Sequence, residues 1–275
     1  MTKFRHALDM ATRAFVQLTV RHRGIHRGPR HTLPAPLVVS LTSYPPRFPT
    51  LHLTLRSILN QSISPDEVIL WIAEEDMRFL PQEVLSLQED GLRVRPCDNL
   101  RSYKKIVPLL EERSDCYILI ADDDAYYPPT WISQIAEEAC VNHRDIHAYR
   151  AHGVGIAGDG VQPYSQWPKN LSVEESLGAV VFPTGIGGVL YPPGIFHGDV
   201  VKRELFQQAC PTADDVWLFW MASLAGAGFR KVGTTKGIVT WLGTQRVGLS
   251  RVNTLESQDN DLQITSMIQR YGVPF

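Results

Sequence analysis

Three consecutive aspartates, Asp122, Asp123 and Asp124, follow directly on the apolar run 117–121. Two carboxylates about 4 Å apart repel by about 1 kcal/mol in water and by more at lower dielectric, so the cluster favours a bound cation. If the chain stays extended, Asp122 and Asp124 project to one side and Asp123 to the other. Such oxygen ligands suit Mg²⁺ or Mn²⁺, with water and phosphate in the remaining positions. The alternative is a plain acidic turn, since Asp favours turns.

A second acidic pair, Asp214 and Asp215, stands at the predicted start of a helix after Thr212. With Thr212 as N-cap, Asp215 three residues on would form an acidic version of the capping box. Both carboxylates would also lie where the helix dipole favours negative charge, so capping alone explains the pair. The functional alternative is a general base that removes a proton from a hydroxyl group.

The elements around these acids alternate between short apolar strands and helical stretches, which predicts an α/β fold with a mostly parallel sheet covered on both faces. We predict strands at 37–41, 67–72, 92–95 and 117–121, and helices at 50–60, 104–111 and after Thr212. Ligands of such sheets bind beyond the carboxyl ends of the strands. Residues 122–124 and the loop 42–47 both follow strands in this way.

Four segments carry a resemblance to a known family. Ile118-Leu-Ile-Ala-Asp-Asp-Asp124 resembles the D-x-D element of glycosyltransferases with the GT-A fold, in particular family-2-like bacterial enzymes. Val38-Val-Ser-Leu-Thr-Ser-Tyr-Pro-Pro-Arg47, with Leu55-Arg-Ser-Ile-Leu-Asn-Gln61, is similar to their first strand, nucleotide-binding loop and first helix. Thr184-Gly-Ile-Gly-Gly-Val-Leu-Tyr-Pro-Pro193 resembles their glycine loop, and Ala213-Asp-Asp215 the acidic pair after it.

The resemblance implies a GT-A-like nucleotide-diphospho-sugar transferase that moves a sugar, expected to be UDP-linked, to a hydroxyl acceptor with inversion. Asp122 and Asp124 would hold Mn²⁺ or Mg²⁺, which would stabilise the leaving diphosphate. Asp215 would be the catalytic base, with Asp214 as the alternative. The expected donor-binding residues are Thr42, Ser43, Tyr44, Arg47, Asp98, Lys104, Lys105, Asp122, Asp123, Gly187 and Gly188.

Each of these donor-binding assignments has a plainer alternative. The loop 42–47 contains two prolines and reads equally as an ordinary turn, and Gly185, Gly187 and Gly188 as a tight turn. Lys and Arg side chains in the polar loop 98–105, including Arg101, are usually solvated. Aromatic residues that could stack on a sugar, Tyr164 and Trp167, more often belong to a core. His143, His147 and His152 match no metal-binding spacing and are predicted to be strand or surface residues.

The sequence departs from the family pattern near its C-terminus. Many GT-A enzymes supply a C-terminal histidine to the metal, but no histidine follows His197. Gln245, Asn253 or Asn260 could supply an oxygen ligand instead, or the cation would rely on the acidic triplet.

Composition separates a basic N-terminal arm from an acidic remainder. The 275 residues are 44 % hydrophobic and 20 % charged, with a net charge of −2. Seven Lys or Arg residues lie within 1–31 against the single acid Asp9, which suggests contact with an anionic surface and no nucleic-acid partner. Residues 1–36 are predicted to form an amphipathic arm and linker, and 37–275 the transferase domain. Phe15 and Leu18 lie on the apolar face of that arm, which would either dock on the protein or rest on anionic lipid.

The scattered cysteines, the lack of a ~20-residue apolar run and the lack of a secretory signal predict a cytoplasmic protein, peripheral on the inner face of the membrane through residues 1–31. A glycan or lipid-linked glycan acceptor, as in cell-surface polysaccharide or lipopolysaccharide synthesis, fits this location. One rival function is a nucleotidyltransferase of related fold, disfavoured because the loop 42–47 contains no glycine. The other is a non-catalytic carbohydrate-binding or scaffold protein, which would need neither acidic group.

Overall fold

A computed structural model describes residues 2–158, 160–241 and 257–275. The strands are β1 (Leu37–Thr42), β2 (Glu67–Ala73), β3 (Leu92–Cys97), β4 (Tyr117–Ala121), β5 (Ala125–Tyr126), β6 (Asp145–Ala148), β7 (Ala151–Gly153), β8 (Ile156–Ala157), β9 (Gly160–Val161), β10 (Val181–Pro183), β11 (Val189–Tyr191), β12 (Gly228–Lys231) and β13 (Val239–Thr240). The helices are α1 (Thr2–His22), α2 (Phe48–Leu59), α3 (Gln82–Leu85), α4 (Val107–Glu112), α5 (Trp131–Val141), α6 (Val173–Ser176), α7 (Arg203–Ala209), α8 (Asp214–Leu224) and α9 (Ser257–Tyr271).

The central sheet contains seven strands in the order β12-β6-β11-β4-β1-β2-β3. The pairs β1–β2, β1–β4, β2–β3 and β6–β12 are parallel, whereas β11 runs antiparallel to both β4 and β6. Strands β1 to β4 are those expected from the sequence, and their ends agree with the prediction to within two residues. The predicted α/β fold class with a mostly parallel sheet is confirmed.

Both faces of this sheet are covered by apolar packing. Val38 and Val39 enter different apolar clusters, and so do Ile118 and Leu119, as the two-residue period of a strand requires. Helices α2 and α5 pack in the cluster of Val39, whereas α8 and α9 pack in the cluster of Val38. Burial on both faces explains why these strands are almost continuously apolar.

One edge of the sheet gathers the loops that carry the acidic residues. Strands β1 and β4 are parallel, and β6 shares their direction because both β4 and β6 oppose β11. The loops after β1, β4 and β6 therefore reach the same edge, together with the loop 184–188 that precedes the reversed strand β11. We call this the acidic edge.

Helix α1 lies against the body of the protein through one side. Val20 packs with Leu53 of α2 and with the fully buried Trp241. Arg13 donates hydrogen bonds to the carbonyl and the hydroxyl oxygen of Thr240, at 3.1 and 2.9 Å. The helix is thus docked on α2, on β13 and on Trp241.

The outward side of α1 carries exposed apolar residues. Phe15 and Leu18, which belong to the predicted apolar face, are 71 % and 61 % exposed. The helix docks through a different set of residues, so docking leaves the predicted apolar face open at these two positions. None of the helices within the described ranges combines the length and the apolar composition that crossing a bilayer requires.

Candidate active site

The acidic triplet forms a turn that is held from three directions. The Tyr127 hydroxyl accepts a hydrogen bond from the backbone N–H of Asp122 at 2.7 Å. The Thr54 hydroxyl donates to the carbonyl oxygen of Asp123 at 3.0 Å, and the Trp241 N–H donates to that of Asp124 at 2.9 Å. Because the backbone groups are satisfied by the protein, the three carboxylates are left for other partners.

Asp123 and Asp124 share one cationic partner. The Arg47 guanidinium contacts Asp124 and lies 3.4 Å from Asp123, and the Ser43 hydroxyl donates to Asp123 at 2.5 Å. The sequence expectation placed Asp123 opposite Asp124, but that required an extended chain. Residues 123 and 124 instead lie in a turn, so both carboxylates face the loop after β1.

Asp122 lies within electrostatic reach of Lys105 and Asp215. Burial raises the pKa of Asp122 to about 7; Lys105 opposes this shift, and the charges of Asp124, Asp123 and Asp215 add to it. Burial likewise raises the pKa of Asp123 to about 6, against the lowering influence of Arg47. Burial thus disfavours the ionised form of both carboxylates, the charge of Asp124 adds to this, and Lys105 and Arg47 offset it only in part.

Asp214 and Asp215 begin α8, but neither caps it as the sequence suggested. The N-cap residue is Ala213, and no side-chain hydrogen bond caps the helix. The carboxylate of Asp215 instead accepts the N–H of Gly185, at 3.1 and 3.2 Å to its two oxygens. Thr212 is occupied elsewhere, because its hydroxyl accepts a hydrogen bond from Gln263. The capping explanation for Asp215 is therefore wrong: its carboxylate points across to the loop before β11.

Lys105 joins the acid pair to the acidic turn. Its ammonium lies 2.7 Å from the Asp214 carboxylate, and its side chain is 10 % exposed. Burial alone would lower the pKa of Lys105, but Asp214, Asp215 and Asp122 raise it above its ordinary value. Lys105 therefore remains charged, and it is a neighbour of carboxylates rather than a free phosphate ligand.

Gly185 lies at the point where these groups meet. A Cβ atom at Gly185 would lie 3.3 Å from the Lys105 ammonium, 3.4 Å from Asp215 and 4.0 Å from Asp122. A side chain here would fill the space between the two acidic groups. Glycine keeps that space open.

The other two predicted glycines serve the protein's own packing. Gly187 and Gly188 have φ of +89° and +106°, a region that favours glycine. A Cβ atom at Gly188 would lie 2.8 Å from the Trp131 ring, and one at Gly187 would lie 3.1 Å from Thr235. Backbone conformation and close packing thus account for both residues without a ligand.

The remaining donor-binding candidates are spread along the carboxyl ends of β1 and β3. Thr42 donates to the Trp71 carbonyl at 2.8 Å, and Tyr44 hydrogen-bonds with Arg47. Lys104 is buried and donates to the Ser43 carbonyl at 3.3 Å. Asp98, whose side chain is 65 % exposed, forms an ion pair with Arg203 at 2.8 Å. Ser43, Arg47 and Lys104 therefore meet the acidic turn, whereas Asp98 is paired on the surface.

Other sequence candidates fall outside this cluster. His147 and His152 lie in strands β6 and β7, as expected, and are buried. Trp167 is buried in the aromatic core, as its plainer alternative held. Asn260 lies in the first turn of α9, whereas Gln245 and Asn253 lie outside the described residues.

The charges of the acidic edge suit a divalent cation. Five carboxylates meet two cations in direct contact, Arg47 and Lys105. Carboxylate oxygens are the ligands that Mg²⁺ and Mn²⁺ take, and a bound cation would favour the ionised form of Asp122, whose pKa is raised by burial first and by neighbouring carboxylates second. Within the described ranges, no three His, Cys, Asp or Glu side chains are grouped so that they could hold an ion. Phosphate or water oxygens would therefore have to complete the coordination.

Several features of this site carried no sequence signal. The backbone of the triplet is held by hydrogen bonds with Tyr127, Thr54 and Trp241. Residues of these types are common in any core. Trp241 lies 117 positions after Asp124, so only the fold brings them together. The pairing of Lys105 with Asp214 likewise joins a residue that precedes β4 in the sequence to one that follows it.

The sequence matches no protein-family model and no curated protein. Among solved structures, the chain is similar to a mannosyltransferase from Pyrobaculum calidifontis in complex with GDP-Man and Mn²⁺, with 15 % identity and a TM-score of 0.37, over 52 % of this chain and 44 % of that one. It is similar to CMP:2-keto-3-deoxy-manno-octonic acid synthetase complexed with CTP, with 12 % identity and a TM-score of 0.42. This match covers 82 % of the present chain and 100 % of the synthetase chain. It is also similar to glucosyl-3-phosphoglycerate synthase from Mycobacterium tuberculosis in complex with Mn²⁺, UDP and glucosyl-3-phosphoglycerate, with 12 % identity and a TM-score of 0.48. This match covers 88 % of the present chain and 82 % of the synthase chain. The chain thus spans less than half the length of the mannosyltransferase.

Proposed function

We propose that this protein is a metal-dependent glycosyltransferase that moves a sugar from a nucleotide-sugar donor, a UDP-sugar by preference, to a hydroxyl acceptor. The observation that carries the proposal is the meeting of two acidic groups across Gly185. One group, at the end of β4, has an excess of carboxylate that suits a cation. The other, at the start of α8, presents a carboxylate held by the Gly185 N–H and flanked by Lys105.

On the donor side, Asp122 and Asp124 are the proposed ligands of Mn²⁺ or Mg²⁺. When bound, the cation would neutralise the donor diphosphate and stabilise it as a leaving group. Without a cation, the carboxylates would repel a diphosphate, so donor binding should require the metal. Arg47 now contacts Asp124, and its buried Nε has no hydrogen-bond partner within the described part of the chain. A diphosphate oxygen would supply an acceptor for that donor group.

On the acceptor side, Asp215 is the proposed base. Burial and the neighbouring Asp214 raise the pKa of Asp215, which makes its carboxylate a better proton acceptor at neutral pH. The Gly185 N–H and Lys105 stabilise its ionised form and hold it in place. A base that takes the proton of the attacking hydroxyl, on the side opposite the diphosphate, gives inversion at the anomeric carbon.

We further propose a glycan or lipid-linked glycan acceptor at a membrane surface, in cell-surface polysaccharide or lipopolysaccharide synthesis. The support is the exposure of Phe15 and Leu18 on α1, in an arm whose composition is basic. Apolar residues beside Lys and Arg are the composition of helices that rest on anionic lipid.

A thermal-shift screen tests the proposal. The protein is heated with UDP-, GDP- and CMP-sugars, with and without Mn²⁺. A ligand that binds only the folded state at a hundredfold excess over Kd adds about 2.7 kcal/mol of stability. We expect a shift that requires Mn²⁺, and we expect Asp124→Ala to abolish it.

Asp115→Ala is the matched control, because Asp115 precedes β4 and its side chain is 78 % exposed. It should leave the Mn²⁺-dependent shift intact. Release of UDP from a UDP-sugar supports the transferase. Release of pyrophosphate from a nucleoside triphosphate and a sugar would instead identify a nucleotidyltransferase, and a protein that binds sugars but turns over no donor would be a scaffold.

A further inference from the structure

Next to Asp215, the acidic edge continues into a basic and aromatic patch. The patch consists of Arg150, Tyr164 and Lys169, and its members come from the loop after β6 and the segment between β9 and β10. The Arg150 carbonyl accepts the N–H of Thr184 at 3.0 Å, so Arg150 lies next to the Gly185 loop that holds Asp215. We call this group the basic patch.

The Arg150 side chain is oriented by Asn170. Its Nε donates to the Asn170 side-chain oxygen at 2.7 Å. Asn170 adopts a φ of +55°, a left-handed conformation that non-glycine residues rarely take. The Asn170 N–H donates to the His152 ring nitrogen at 3.0 Å, which keeps the loop on strand β7. The guanidinium is therefore held through Nε, and its terminal nitrogens make no hydrogen bond to any residue that the structure describes.

Lys169 is held over an aromatic ring rather than beside a carboxylate. Its ammonium lies 3.3 Å from the centre of the Tyr164 ring and 2.5 Å from the Tyr164 carbonyl oxygen. Burial, and then the charge of Arg150, lower the pKa of Lys169 to about 8, although Asp261 opposes the shift. The Lys169 ammonium thus lies in the positive field of the Arg150 guanidinium.

Tyr164 links the basic patch to the proposed base. Burial raises the pKa of Tyr164 to about 12, the charge of Asp215 adds to the shift and that of Arg150 opposes it. The ring is thus within electrostatic reach of both. Among the described residues, no carboxylate lies within ion-pair distance of Arg150 or Lys169.

We propose that the basic patch is a subsite for an anionic group on the acceptor, a phosphoryl or carboxylate group close to the hydroxyl that attacks the donor. The proposal rests on the function proposed above, since it assigns the acceptor side of the same site. Arg150 and Lys169 would bind the anion through charge-assisted hydrogen bonds. They would also offset its repulsion from Asp214 and Asp215, which a neutral sugar acceptor would not need.

Calorimetric titration of the full chain tests this assignment in two steps. The first titration, of UDP with Mg²⁺, tests the donor side alone. In the second, the protein saturated with UDP and Mg²⁺ receives glycerol 3-phosphate or glycerol, and in a parallel arm glucuronate or glucose. If UDP does not bind in the first titration, the same probes are titrated into the protein without nucleotide, and anion binding there means that the nucleotide assignment falls while the anion site stands. We expect at least one anionic probe to bind the wild-type protein and the matched neutral probe to bind at least about tenfold more weakly.

Lys169→Gln and Arg150→Gln should each weaken anion binding by about tenfold or more while leaving UDP binding unchanged. The unchanged UDP titration also shows that the variants fold. Arg144→Gln is the matched control, because Arg144 is exposed and precedes β6, whereas Arg150 follows it.

Binding of glycerol 3-phosphate alone identifies a phosphoryl group, and binding of glucuronate alone a carboxylate. The assignment is overturned if no anion binds, if neutral and anionic probes bind equally, or if the three variants bind the anion alike.

Discussion

The acidic turn after β4 and the acid pair at the start of α8 both place adjacent aspartates at one edge of the sheet. The cationic side chains that pair with these two groups differ in kind. Arg47, the partner of Asp123 and Asp124, comes from a short loop that contains two prolines, and one of its buried nitrogens has no partner within the described residues. Lys105, the partner of Asp214, is deeply buried and sits among three carboxylates.

This difference suggests how similar side chains can take separate tasks. A cation at the turn could displace Arg47 without leaving a charge unpaired, since the guanidinium could then turn to the donor diphosphate. Lys105 is buried beside Asp214 and Asp215, so the acid pair keeps its counter-charge whether or not a donor is bound. An exchangeable counter-charge suits a metal site, and a permanent one suits a base.

The largest expected effect separates the two carboxylates of the acid pair. Asp215→Asn should reduce kcat by about 10²–10⁴-fold, because a positioned general base contributes on that scale. The Mn²⁺-dependent thermal shift with a nucleotide sugar should persist, since the acidic turn is untouched. Asp214→Asn is the comparison variant and should lose less turnover. If Asp214→Asn loses turnover and Asp215→Asn does not, the base is Asp214.

Lys105→Gln tests whether the counter-charge of the acid pair is permanent. Breaking a buried ion pair by removing one partner typically costs about 3–5 kcal/mol of unfolding free energy. Lys105 lowers the pKa of Asp215 and of Asp122, so its removal should raise both. A base acts in its deprotonated form, and the acid limb of the kcat–pH profile should therefore move to higher pH. An acid limb at unchanged pH would contradict the assignment of Asp215 beside Lys105.

Arg47→Gln tests the exchangeable counter-charge. Without Arg47, Asp123 and Asp124 lose their cationic partner, and Mn²⁺ alone should bind about threefold to tenfold more tightly, as measured by calorimetry. Arg93→Gln is the control, because it removes an arginine from an exposed ion pair with Glu67. Weaker Mn²⁺ binding in Arg47→Gln than in the control would show that Arg47 supports the cation rather than substituting for it.

The smallest expected effect concerns the support of the turn. Trp241→Phe removes the indole N–H that donates to Thr54 at 2.7 Å, and it should cost about 1 kcal/mol of unfolding free energy. Because Thr54 in turn holds the Asp123 carbonyl, Mn²⁺-dependent UDP affinity should also fall severalfold. Trp220→Phe loses a similar hydrogen bond, to Gly272, but should leave that affinity unchanged. Equal UDP affinity in the two variants would remove Trp241 from the support of the turn.

The parallel half of the sheet was predictable because its strands are buried on both faces. Nearly continuous apolar runs such as 37–41 and 117–121 predict buried strands in a chain that alternates strands and helices, and their carboxyl ends must share an edge. The helix after β1 was less accurately predicted. It begins at Phe48 rather than at Thr50, because Pro49 fits the first turn of a helix and Thr50 is not needed as a cap.

The acidic turn and the acid pair show where local rules fail. Alternation placed Asp123 on the side opposite Asp124, and the capping box assigned Asp215 to its own helix. Both rules consider only neighbours in sequence. The turn is instead set by Tyr127 and Trp241, and the Asp215 carboxylate is taken by Gly185, thirty positions earlier in the chain.

The sequence by itself determined the α/β alternation, the four parallel strands and the presence of two acidic groups at strand or helix ends, because burial patterns and residue types are local properties. Only the tertiary structure decided which carboxylate meets which cation. Lys105 and Asp214 approach from elements far apart in the chain, and a buried charge takes whichever partner the packing of those elements brings within reach.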